Sequence, residues 1–365
     1  MIRFALVGCG RISRKHAENL GEGRIQGARL TAVCDQNLER AEVWSKKYGV
    51  PAFKDMHEMM EMMGNEIDVI SVLTPSGDHA RHVIDLSKYK KNILVEKPMA
   101  LTVDDAEKMI SACNQSGVRL FVVKQNRFNL PVTKMREALE SGRFGKLALG
   151  TVRVRWCRDQ KYYDQDPWRG TWEHDGGVFA NQAIHHVDLL NWAMGDVVSV
   201  FAKSATRLVN VEVEDTGVVV LKFENGALGI IEATTATRPK DLEGSISILG
   251  ERGTVEIAGF AVNEMKIWNF VDSDDAERSE IEKLKQSPPD VYGFGHTEYL
   301  NHVVKTLCGE EAHFVDGTEG KKSLELVNAI YESIESGKEV FMKDRPHRSR
   351  LGHAVGSTPT KKSEI

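Results

Sequence analysis

The sequence predicts an α/β protein in two domains. An N-terminal domain on a parallel sheet is followed by an α+β domain on a large, mostly antiparallel open sheet. Three observations lead there. The chain has 365 residues, more than one hydrophobic core ordinarily serves. Its first third alternates short apolar runs with amphipathic stretches, the pattern of βαβ units whose sheet is covered on both faces. After about residue 125 that alternation gives way to successive strand-like segments separated by turn signals.

In order along the chain, residues 2–7, 30–34, 69–73, 93–95 and 120–123 read as the parallel strands, and 38–48, 76–89 and 103–116 as helices between them. The methionine-rich stretch "MHEMMEMMG" at 56–64 reads as helix packing and not as a metal site. Residues 1–124 form the expected first domain and 125–343 the second. Strands are expected there at 148–158, 197–207, 216–223, 227–237, 245–249 and 254–258, with hairpin turns at "ENG" and "GERG". A helix at 321–336 closes the fold. The polar segment 344–365 reads as a flexible tail.

Composition excludes several function classes. Hydrophobic residues make up 41% and charged residues 28%, the balance of a soluble globular protein. The net charge of −5 argues against nucleic acid or an acidic membrane as partner. Five scattered cysteines without a C-x-x-C pair suit reduced thiols, not disulfides or zinc. No apolar run has the length of a bilayer span, and "MIRFALVGCG" reads as strand and turn, not as a leader. The expectation is a cytoplasmic protein without a metal.

The chemistry concentrates where the parallel strands end. "FALVGCGRIS" places Gly8 and Gly10 directly after the first strand, with Arg11 and Ile12 opening a helix. Glycines there allow a tight turn and let a pyrophosphate approach a helix N-terminus, the Rossmann arrangement. Asp35 ends the second strand, where an acid takes both ribose hydroxyls of NAD and repels the 2′-phosphate of NADP. Thr74, Pro75 and His79 follow the next strand. Glu96 and Lys97, locked by Pro98, follow the one after, which puts Lys97 at the rim where a nicotinamide and its substrate meet.

With "GCGRI", Thr74-Pro75, Glu96-Lys97-Pro98 and the later "DGGVFANQAIHHVDLLNWAMG", the chain resembles the Gfo/Idh/MocA family of sugar dehydrogenases over nearly its whole length. "FVVKQNRFN", "WRGTWEHDGG", "VEVEDTG", "LEGSISILGERGTV" and "VYGFGH" further resemble the UDP-N-acetyl-2-amino-2-deoxy-D-glucuronate dehydrogenases within it. That resemblance implies NAD as cofactor, with Gln125, Trp168 and Arg169 added to its contacts. It implies oxidation of the C3 hydroxyl of a UDP-sugar uronate, for bacterial surface polysaccharide, and a homotetramer. In several such enzymes 2-oxoglutarate reoxidises the NADH.

Oxidising a secondary alcohol needs a hydride acceptor and a group that takes the hydroxyl proton. Asn181, His185 and Asp188 are spaced to share one helix face, with His185 as the base and Lys97 stabilising the alkoxide, or with Lys97, its pKa lowered by burial, as the proton acceptor instead. His186 ranks behind His185, and Asp188 either orients it or packs. Inositol-type relatives carry an aspartate where this chain has Asn181, which counts against a polyol substrate. A pyrophosphate-bearing uronate calls for cations, and Arg158, Tyr163 and Arg169 lie in a basic, aromatic segment that suits it. Arg238 and Lys240 are further candidates. Arg153 and Arg155 alternate with apolar residues and read as an outer sheet surface, solvated or facing another subunit. The open sheet's apolar positions, Val218, Val220 and 221–223, predict a dimer or tetramer. Other readings are a glucose- or inositol-type dehydrogenase of the same family, or a non-catalytic NAD-binding protein.

Overall fold

A computed structural model describes the chain except residues 275–276, 278–280, 282–283, 285–292, 313–314, 355 and 357–365. It divides into two compact units, residues 1–125 with 296–321, and residues 126–295 with 322–365. The chain therefore returns to the first unit after building most of the second, a return that the expected boundaries at 124 and 343 do not contain.

In the first unit, β1 (Ile2–Val7), β2 (Ala28–Cys34), β3 (Ala52–Phe53), β4 (Val69–Val72), β5 (Asn92–Val95) and β6 (Leu120–Val122) form one parallel sheet in the order β3-β2-β1-β4-β5-β6. Phe4–Val7 of β1, all of β4 and Ile93–Val95 of β5 are buried, as strands covered on both faces must be. The crossovers carry α1 (Ser13–Gly21), α2 (Leu38–Tyr48), α3 (Met56–Met63), α4 (His79–Ser87) and α5 (Val103–Ser116). Asn37, Asp55 and Thr102 cap α2, α3 and α5 by accepting backbone N–H bonds. In α3 Met59 and Met60 face inward while Met62 is exposed, which is packing. The strand order reverses between β1 and β4, and in such sheets ligands bind beyond the carboxyl ends at that point.

The second unit adds α6 (Leu130–Glu140), α7 (Gln160–Tyr163) and α8 (Ile184–Met194) to a sheet ordered β13-β12-β11-β7-β10-β9-β8-β14. Its strands are β7 (Leu147–Arg155), β8 (Val197–Ala205), β9 (Thr216–Phe223), β10 (Leu228–Thr234), β11 (Glu243–Gly250), β12 (Gly253–Ala258), β13 (Glu264–Phe270) and β14 (Val340–Phe341). Neighbours are antiparallel except β10 and β7, which run parallel. One face packs on α8, where Gly150 of β7 leaves room for Leu190 and Met194. On the other face Phe201, Val220, Ile230, Thr151 and Ser247 stand in register across five strands. Val218 and Val220 are each 53% exposed there, whereas Leu221 and Phe223 point to the buried side, against the expectation for 221–223. Arg153 and Arg155 lie on this outer face and pair with Glu243 and Glu232.

The chain returns to the first unit as α9 (Gly295–Cys308) and the start of α10 (Gly317–Ser336). There Val122 N–H bonds the Val315 carbonyl at 2.9 Å, and Gly320 lies so close to Val122 that a Cβ would meet it at 2.5 Å. The segment expected to be a free tail from 344 is anchored to the second unit as far as His353. Leu351 is fully buried, Ser349 Oγ donates to Asn328 Oδ1 at 2.7 Å, and the Arg350 guanidinium lies over Trp172. Residues 291 and 292 of the "VYGFGH" stretch lie outside the described residues. Among the described residues, no helix is long and apolar enough to cross a membrane.

Candidate active site

In the first unit, the carboxyl ends of β1, β2, β4 and β5 bring Gly8, Gly10, Arg11, Ile12, Asp35, Thr74, Pro75 and Lys97 to one edge of the sheet. Gly8 has φ +99°, and a Cβ there would lie 2.7 Å from the Leu73 backbone, so only glycine fits. Gly10 lies open, with nothing within 4 Å of where a Cβ would stand. Ser13 Oγ donates to the Gly10 carbonyl at 2.6 Å, and the Trp44 indole N–H donates to Ser13 Oγ at 3.0 Å, bracing the turn. Asp35 accepts from Cys9 N–H at 2.7 Å through Oδ2 and from Asn37 N–H at 2.8 Å through Oδ1. A carboxylate has further lone pairs for two ribose hydroxyls, and the open glycine turn suits a pyrophosphate. The residues fit NAD.

Two expected contacts are turned inward instead. His79 is 1% exposed, and its ring bridges the carbonyls of Thr74 and Pro98, each at 2.8 Å. Burial pulls its pKa below the ordinary imidazole value, against those carbonyls. It ties the β4 edge to the turn after β5 and stands behind the rim, not on it. Glu96 is buried as well. Its Oε1 faces His16 Nε2 at 3.0 Å and His296 Nε2 at 3.5 Å, while Oε2 accepts the Lys97 N–H at 3.1 Å. Burial works to raise the Glu96 pKa, but the two imidazoles outweigh it and hold the carboxyl well below its usual range. The result is a charged carboxylate pinning the backbone of Lys97, whose peptide bond to Pro98 is cis. His16 and His296 carry no local signal for this role, being 280 residues apart. Gln125, just after β6, is buried.

In the second unit, α8 begins at Ile184, so Asn181 lies in the preceding loop and the helical spacing expected of it with His185 does not hold. Its backbone N–H bonds the Gly177 carbonyl at 3.0 Å, and its side-chain amide donates to buried Asp175. His185 is 7% exposed near the start of α8. His186 is fully enclosed against Trp156, and burial pushes its pKa down to about 4, which keeps it neutral. Asp188 is occupied elsewhere. Both its oxygens receive the Arg127 guanidinium, each at 2.8 Å, in a pair only 3–4% exposed. It anchors α8.

The basic segment forms a stack. The Arg158 guanidinium lies over Trp156 and Tyr162 and donates to Asp241 at 2.9 Å. Arg169 lies over Tyr162 and Trp168, donates to Asp166 at 3.0 Å and to Tyr162 OH at 2.8 Å. Their side chains are 14% and 9% exposed. Tyr162, not the expected Tyr163, stands between the two cations. Tyr163 points into the core, 6% exposed, with its hydroxyl on Thr235 and its pKa raised by burial. Arg238 donates to the Arg158 carbonyl at 3.1 Å, bracing that residue, and Lys240 is exposed.

Residues 2–124 match the family model for the NAD-binding Rossmann domain of the oxidoreductase family, and residues 132–256 match the GFO/IDH/MocA C-terminal domain. The chain belongs to the Gfo/Idh/MocA oxidoreductase family. It is an NAD-dependent dehydrogenase. Among solved structures of this family, it is similar to the WlbA dehydrogenase of Bordetella pertussis in complex with NADH and UDP-GlcNAcA. The identity is 41%, over 93% of this chain and 98% of that one, with a TM-score of 0.84. The WlbA enzyme of Chromobacterium violaceum, in complex with the same ligands, is 42% identical over 93% and 95%, with a TM-score of 0.87. Among Gfo/Idh/MocA sequences, the myo-inositol 2-dehydrogenase of Thermotoga maritima is 29% identical over 94% of this chain and 99% of that one.

Proposed function

We propose that this dehydrogenase oxidises the C3 hydroxyl of UDP-N-acetyl-D-glucosaminuronate to the 3-keto sugar, in a route to surface polysaccharide. The observation that carries the reading is the stack of Arg158, Tyr162 and Arg169. Two largely buried guanidiniums, each set by one carboxylate and an aromatic face, keep further N–H donors in a planar fork that suits an anion. A uronate on a pyrophosphate presents such anions, and a free polyol presents none. The likeness to two enzymes held with UDP-GlcNAcA supports the same substrate.

In this mechanism NAD supplies the hydride acceptor. Lys97 lies half-buried at the rim, fixed by the Glu96 carboxylate, and its ammonium stabilises the developing alkoxide. His185 accepts the hydroxyl proton, and Asn181 hydrogen-bonds the sugar. Arg158 and Arg169 hold the anionic groups, with Trp168 beside Arg169. The same reading includes 2-oxoglutarate as the acid that returns bound NADH to NAD. It also includes a homotetramer joined through the apolar outer face of the second sheet.

The test follows NADH absorbance with UDP-N-acetylglucosaminuronate, with the corresponding UDP-free sugar, and with myo-inositol, each with and without 2-oxoglutarate. Reduction by the UDP-sugar alone, sustained once the oxoacid is added, is the expected outcome. Turnover of inositol but not of the UDP-sugar would transfer the assignment to the polyol branch, to which the Thermotoga relative belongs.

A further inference from the structure

We propose that residues 349–352, near the C-terminus, strap down the turn between Arg169 and Asn181, which makes buried Leu351 a positioning residue for the sugar. This rests on the reading above that Arg169 and Asn181 contact the substrate.

The turn at 172–177 joins those two residues without helix or strand. At its entry the Asp175 and Gly176 N–H groups donate to the Thr171 carbonyl, at 3.2 and 2.8 Å. The Thr171 hydroxyl donates to the Trp168 carbonyl at 2.7 Å, next to Arg169. At its exit the Asn181 N–H donates to the Gly177 carbonyl at 3.0 Å. A displacement of the turn is therefore passed towards Arg169 on one side and Asn181 on the other.

Residues 349–352 pack against this turn. Gly352 N–H donates to the Trp172 carbonyl at 2.8 Å, and the Arg350 guanidinium lies 4.5 Å from the centre of the Trp172 ring. Leu351 fills the space beneath Gly176, where a Cβ would lie 2.7 Å from Leu351 Cδ1. The strap is fastened to α10 as well. Ser349 Oγ donates to Asn328 Oδ1 at 2.7 Å, and Arg350 N–H donates to Glu335 Oε1 at 3.0 Å. From the same helix the Tyr331 hydroxyl accepts the Gly177 N–H at 2.9 Å and donates to buried Glu214 at 2.9 Å. Its ring meets that of Trp172 edge-on. Helix and strap thus grip the turn together. Gly176 has no side chain with which to fill the space that a smaller residue at 351 would leave, so the turn itself must move. A shift of about 1 Å in binding groups is enough to cost a large factor in catalytic efficiency.

The experiment compares KM and kcat of Leu351→Ala, Leu351→Met and Arg350→Ala with whichever sugar the wild-type enzyme oxidises. Leu351→Ala is expected to raise KM about tenfold, with kcat within about threefold. Leu351→Met keeps the volume and should stay within about twofold of the wild-type KM. Arg350→Ala is a surface change that spares the core and decides the matter should Leu351→Ala fail to fold; it should raise KM about threefold. A loss of kcat at constant KM, as fewer folded molecules would give, makes the strap a prop of stability alone and overturns the proposal. A second readout needs no substrate. Amide hydrogen exchange in the peptides covering 172–181 should quicken in Leu351→Ala while those covering β9 stay as in the wild type. Equal exchange at 172–181 in both proteins would overturn the strap even in an active enzyme. A raised KM for a sugar that carries no UDP would sustain the strap and sink the substrate reading alone.

Discussion

Arg169 reaches Asp166, Tyr162 and the Trp168 face with one planar group, a geometry that an ammonium cannot reproduce. Arg169→Lys is therefore expected to raise KM for the UDP-sugar by about tenfold or more, measured by steady-state kinetics. Glu214 sets a stability prediction. Its folded pKa of about 7 lies above its ordinary 4.5. The buried neutral acid favours the fold fully below pH 4.5, and that contribution is lost as pH rises to about 7. Glu214→Gln should flatten this decline, so that its midpoint in urea exceeds that of the wild type at pH 8 relative to pH 4.5. An identical pH slope in both proteins would contradict it. At this scale the sequence was legible in residue types more than in their direction. The pair Tyr162-Tyr163 shows why. On the short helix α7 adjacent side chains diverge by about 100°, and only packing decides which one meets the arginines.

The turn between β1 and α1 was legible as an element because its glycines answer a local demand. Gly8→Ala would have to move the Leu73 backbone or abandon φ +99°. It is expected to cost about 1–3 kcal/mol of stability and to weaken NADH binding, read by chemical denaturation and by titration of the same sample. The element after β5 was legible only in part. "EKP" announced a fixed lysine, but the partners fixing it, His16 and His296, come from α1 and α9 and meet at Glu96 only in the folded unit. His16→Ala would leave a buried carboxylate with one imidazole fewer. A loss of about 3 kcal/mol in denaturant unfolding is expected. Asn181 marks the opposite failure. A helical period drawn back from His185 runs past the true start of α8 at Ile184, because the Gly176-Gly177 turn and its bonds to Thr171, Glu214 and Tyr331 impose another path.

For the whole molecule, the apolar residues of β9 led to the expectation of an exposed apolar face, which Val218 and Val220 meet and Leu221 and Phe223, turned inward, do not. Registration of Phe201, Val220 and Ile230 in one row gives that face its continuity. Val220→Lys places a charge at its centre and should release smaller species in sedimentation at micromolar concentration, with the far-UV spectrum unchanged. A stable wild-type monomer under those conditions would refute assembly through this face. The strand order of the second sheet, with its parallel β10–β7 pair, was not legible. Period and turn chemistry locate strands, but neighbours distant in sequence are chosen by packing.

The return of residues 296–321 to the first unit has a bearing on how such enzymes can be rebuilt. The nucleotide-binding unit is interrupted by a long insertion, so its gene segment is not one exchangeable cassette. A fragment ending at residue 125 would lack His296, Val304 and the Val315 carbonyl that pairs with β6. Grafting the cofactor preference of one such enzyme onto another therefore requires three junctions, near residues 125, 295 and 321. Recombination with a single crossover would join a Glu96 from one parent to a His296 from the other.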